Sequence, residues 1–77
     1  MSLRDQTRQI LTDFENSSSG QIIQTLNEIK SHFRSELTRN YLKGKIDAIS
    51  DIPDEIEKKK LCKALIPYLD WYLHGID

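Results

Sequence analysis

Two histidines, one cysteine, several clustered carboxylates and a run of lysines are the side chains of this 77-residue sequence with chemistry to offer. His32 and His74 stand far apart, and neither belongs to an H-E-x-x-H or C-x-x-C spacing, so no metal-ligand set is expected. Cys62 is the lone cysteine and has no partner for an intrachain disulfide or a zinc knuckle. Its neighbours Leu61, Ala64 and Leu65 are apolar, which raises a thiol's pKa and dulls it as a nucleophile. The three glycines, Gly20, Gly44 and Gly75, are isolated and open no phosphate-binding loop.

The carboxylates Asp51, Asp54, Glu55 and Glu57 gather where a helix should begin. Acids there meet the positive end of the helix dipole, which accounts for them without general acid–base work. They also stand in register to pair along the helix, Asp54 with Lys58, Glu55 with Lys59 and Glu57 with Lys60, each pair adding a few tenths of a kcal/mol. No catalytic residue, cofactor or metal is expected, and the chain is not read as an enzyme.

The basic residues raise one alternative. Lys58, Lys59, Lys60 and Lys63, with Arg34, Arg39, Lys43 and Lys45, are the candidate nucleic-acid surface, since phosphate contact needs only positive charge at suitable spacing. Residues 30 to 63 hold nine basic against six acidic side chains, a local charge of +3 within a chain of net charge -1. That excess is small beside the strongly basic face of most nucleic-acid-binding domains. Segment 41–50 would be a weak recognition helix, interrupted by Gly44, and the last helix is too apolar to sit in a groove.

These residues ride on helices. The composition, 38% hydrophobic and 30% charged, fits a globular domain and excludes a disordered tail or a disulfide-dense scaffold. Ser2 can cap a first helix over about 3–15, with Leu3, Ile10, Leu11 and Phe14 at helical spacing. Residues 16–20, Asn-Ser-Ser-Ser-Gly, read as a loop in which Ser18 or Ser19 caps a second helix. There Ile22, Leu26, Ile29, Phe33 and Leu37 step by four, three, four and four, placing the second helix at about 20–37. Leu42, Ile46 and Ile49 fall near the opposite side of a continued helix, which leaves either one long helix buried on opposite faces at its two ends or, the favoured reading, a break at 38–41 and a third helix over 41–50. A final helix opens near Pro53, is bent at Pro67, runs to about 74 and ends at Gly75 as a left-handed cap. The expected fold is therefore a single all-α domain over 1–77, a bundle of three to four short helices.

The last helix carries the functional expectation. From 61 to 76 its apolar side chains cover roughly 200° of the circumference, where a surface helix needs little over 100°. Such a helix is either surrounded by its neighbours or in contact with another chain. Tyr68 and Trp71 lie on one edge of the apolar band, Leu73 on the other, and Tyr72 between them. These four are the candidate protein-interaction residues, Trp and Tyr being enriched in binding hot spots. The reading is a small cytoplasmic interaction module, a regulator, adaptor or inhibitor, binding a protein partner or a second copy as a dimer. No membrane is expected, since the chain holds no long apolar run.

Overall fold

The computed structural model describes residues 2–75, and within them the chain is all-helical. Five α-helices form, α1 (Leu3–Thr12), α2 (Ser19–Lys30), α3 (Glu36–Ser50), α4 (Glu55–Lys63) and α5 (Ile66–Leu73). A 3₁₀ turn at Phe14–Asn16 follows α1, so the first helix stops at 12 rather than 15. Ser2 and Ser18 cap α1 and α2 as expected, their hydroxyls accepting the Asp5 and Gln21 backbone N–H groups at 3.1 Å.

Two expected boundaries are corrected. The break in the middle of the chain falls at Ser31–Ser35, not at 38–41, because Ser35 caps α3 by accepting the Thr38 N–H at 3.3 Å. Arg39 then ties the connection down, its guanidinium donating to the carbonyls of Phe33 at 2.6 Å and Arg34 at 2.9 Å. Leu37 consequently leaves the α2 stripe and stands 83% exposed on α3. The single bent helix over 53–74 is in fact two, which makes the count five rather than three to four. Pro67 has no N–H to give the Lys63 carbonyl, and α4 closes with tightened bonds from Ala64 to Leu61 and from Leu65 to Cys62. α5 restarts with Pro67 in its first turn, where a missing N–H costs nothing. Pro53 lies just outside α4, whose first residue is Glu55. Gly75 takes φ +90° and ends α5, as expected of a left-handed cap.

α2 touches all four other α-helices. Its Ile22, Leu26 and Ile29 are fully buried and meet Ile10, Phe33, Leu42, Ile46, Ile49, Cys62, Leu65 and Leu69 in one core. Thr7 and Thr25 are also buried, and each hydroxyl donates to the carbonyl four residues earlier, with Gln6 donating to Thr25 at 2.7 Å. α5 is thus not the surrounded helix. It packs against α1 and α2, and Arg4 of α1 donates to its terminal Leu73 carbonyl at 3.0 Å. Ile76, at the end of the apolar band, lies outside the described residues.

Candidate interaction surface

Along α5, Leu69 points into the core and the four candidate residues spread around it. Taking about 100° per residue, Tyr72 and Tyr68 occupy one flank, Trp71 stands furthest from the core, and Leu73 lies on the flank toward α1. Tyr68, Tyr72 and Leu73 are half-buried, whereas Trp71 is 40% exposed.

Aromatic rings from α5, α3 and the turn between α2 and α3 meet here. Trp71 stands edge-on to Phe33, in that turn, with centroids 5.1 Å apart. Tyr68 lies 6.2 Å from Phe33, 6.3 Å from Trp71 and 6.0 Å from Tyr41 of α3. Such tilted and edge-on contacts are each worth about 0.5–1.5 kcal/mol beyond buried area. Burial, and then the neighbouring Tyr41, push the Tyr68 phenol above its ordinary pKa, so it stays a neutral donor. Tyr72 turns away from this cluster toward His32, at 5.5 Å.

Beside the aromatic cluster, Tyr41, Lys45 and Ala48 of α3 face Leu61 and Ala64 of α4 across a cleft of about 170 Å³ floored by Ile49 and Leu65. Tyr41 is 49% exposed and Leu61 is exposed, and the Lys45 ammonium sits 5.5 Å over the Tyr41 ring. A break across 38–41 takes Tyr41 out of any helical stripe legible in the sequence, and Leu61 reads there as one apolar residue among those of the 61–76 arc. With the break at Ser31–Ser35, the spacing of Leu37, Tyr41 and Ala48 marks a second stripe on α3.

The structure gathers Lys59, Lys60 and Lys63 around one depression of about 400 Å³ with Phe14, Glu15, Glu55 and Ile56, but Arg34, Arg39, Lys43, Lys45 and Lys58 do not line it. Lys43 and Lys45 lie roughly 200° apart around α3, and Lys58, Lys59 and Lys60 fan over a similar arc of α4. Arg39 is committed to the loop carbonyls, and Lys59 donates to the Glu15 carbonyl while lying 5.5 Å from the Phe14 ring. The expected pairing of Glu55 with Lys59 is replaced by a different role. Glu55 accepts the Ser19 N–H at 3.0 Å and its hydroxyl at 2.6 Å, binding the start of α4 to the start of α2. Those two bonds hold its carboxyl below the ordinary pKa. Among the described residues an ion pair joins Arg8 to Asp5, His74 Nδ1 lies 3.3 Å from the Asp70 carboxylate, and Asp54 and Glu57 make no pair with the lysines.

Cys62 is fully buried, and desolvation, then Glu55, push its thiol upward, as its apolar setting implied. Among the described residues no three His, Cys, Asp or Glu side chains are grouped to hold an ion, and no helix is long and apolar enough to cross a membrane. No protein-family model matches the chain, and neither the curated proteins nor the solved structures contain a match.

Proposed function

We propose that the chain is a small protein–protein interaction module, a regulator, adaptor or inhibitor, that engages its partner through the aromatic rim of α5 and the adjoining cleft. The observation that carries this reading is the exposure of Tyr41 and Leu61 around one apolar depression, with the exposed Trp71 joined to Tyr41 through the Tyr68 ring. A monomer exposes single apolar residues freely, but contiguous ones around a concavity mark contact surfaces. Trp71 and Tyr68 supply the large, stiff contact area typical of hot spots, and Lys45 a polar rim.

Nucleic-acid binding has less to rest on, because Arg39 and Lys59 are engaged within the protomer and Lys59, Lys60 and Lys63 share their depression with Glu15 and Glu55. The two readings separate in one experiment. Tagged protein and its Trp71→Ala variant are used to capture partners from source lysate with and without nuclease. The interaction-module reading requires a stoichiometric, nuclease-resistant protein that the variant loses, a truncation cost of about 2 kcal/mol or more at a hot spot. Recovery of nucleic acid, or equal capture by the variant, overturns it.

A further inference from the structure

The outward face of α3 carries a stripe of exposed residues at helical spacing. Leu37, Tyr41, Gly44 and Ala48 are spaced by four, three and four residues, and all four are exposed. At about 100° per residue they fall within roughly 60° of one another, on the side of α3 opposite the buried Ile46. This alternation of three and four is the spacing with which one helix seats its side chains between those of another. Within the protomer Leu37 is 83% exposed and a Cβ at Gly44 would meet no atom within 4 Å, while Tyr41 packs beside Tyr68 on one side and Ala48 borders the cleft against α4.

The stripe is complementary to itself reversed. Its bulky residues lie in the first half of α3 and its small ones in the second. When two copies run antiparallel about a twofold axis between residues 42 and 43, Tyr41 of each lies over Gly44 of the other, and Leu37 over Ala48. The same antiparallel arrangement brings Arg34, in the turn just before the Ser35 cap, to the end of the partner helix that carries Asp51 at its far cap. Both are exposed, and within the described residues neither has an ionic partner in its own protomer. Along the flanks Thr38 comes beside Lys45 and Asn40 beside Asp47, so no like charges meet. A twofold contact demands this property, that one patch complement itself.

We infer that the chain forms an antiparallel homodimer through the α3 stripe Leu37–Tyr41–Gly44–Ala48, closed at each end by an Arg34–Asp51 pair between copies. The inference rests on the interaction-module reading and names a second copy as one occupant of that surface. The twelve residues from Leu37 to Ala48 span only about 18 Å of helix, which falls short of a standard interface, so the dissociation constant is expected between about 1 µM and 1 mM.

Sedimentation velocity over a concentration series reaching the millimolar range tests it at low salt. Wild-type protein should move from protomer to twice the protomer mass. Gly44→Leu, which enters open space in the protomer and improves helix propensity, should keep the helical spectrum and weaken association on the order of a hundredfold. Arg34→Glu and Asp51→Arg each place like charges together and should weaken it about three- to tenfold, and the double variant should return to within about twofold of wild type. Both reversals favour the α3 dipole, an acid near its start and a base at its end, so a loss is not a folding defect. A protomer mass throughout the series overturns the inference, as does a dimer untouched by Gly44→Leu or charge reversals that fail to restore each other. A dimer that ignores Gly44→Leu but is lost in Trp71→Ala overturns the α3 interface while leaving the α5 reading intact.

Discussion

Glu55 shows how one side chain can serve two helices. Its own position at the start of α4 suits a carboxylate, and its two oxygens also take the Ser19 N–H and hydroxyl, covering a donor of α2 that would otherwise lack a partner. Because folding lowers its pKa, the charged form stabilises the fold at pH above the unfolded value, and the contribution is lost as pH falls through the lowered folded value. Glu55→Gln should therefore melt below wild type at neutral pH, and the two curves should converge as pH drops from about 4.5 toward 3. Parallel melting-temperature profiles over that range would show that the carboxylate charge contributes nothing. The spacing of Glu55 and Lys59 was visible in the sequence, but the choice between them and Ser19 was not. A residue 36 positions away decides it, through a bond that exists only after α2 and α4 pack.

Helix starts were legible where a serine stands before an apolar periodic run, as at Ser2 and Ser18. The α3 start was misplaced because Ile22, Leu26, Ile29, Phe33 and Leu37 continue an unbroken helical spacing through the turn. Periodicity reports which residues would share a face if the helix continued, and cannot report that it stops. Ser35 and Arg39 stop it by capping the new helix and binding the carbonyls left at the turn. Ser35→Ala should accordingly cost about 1 kcal/mol in chemical denaturation, within the usual 0.5–2 for a lost N-cap. An unchanged unfolding midpoint would mean that Arg39 alone holds the junction. Pro67 acts the same way at the other end, turning an expected bend into a separation of α4 from α5.

The five helices depend on α2, which meets each of the others. A chain this short has a total stability of roughly 4–12 kcal/mol, so a single cavity at the hub is a large fraction of it. Leu26→Ala should destabilise the protomer by about 2–5 kcal/mol and push a population toward the unfolded state at room temperature. Leu37→Ala removes the same side chain from an exposed site and should stay within about 0.5 kcal/mol in dilute protein. Equal losses from the two, read from urea midpoints, would contradict the assignment of Leu26 to the core and Leu37 to the outside.

The helical class followed from periodicity, capping serines and the absence of strand patterns, because these depend on residues within a few positions of one another. So did the apolar character of the last segment, the muted thiol of Cys62 and the aromatic edge at Tyr68 and Trp71. Which helix lies at the centre did not follow: α5 has the widest apolar arc, yet α2 is the hub. Surface area, not hydrophobicity, sets that outcome, since four other short helices cannot enclose every side of α5 and part of its apolar arc must face outward. The candidate site was half legible for the same reason. Tyr68 and Trp71 announce themselves along one segment, whereas Tyr41 and Leu61 join them across a cleft that comes into being only when α3 packs beside α4.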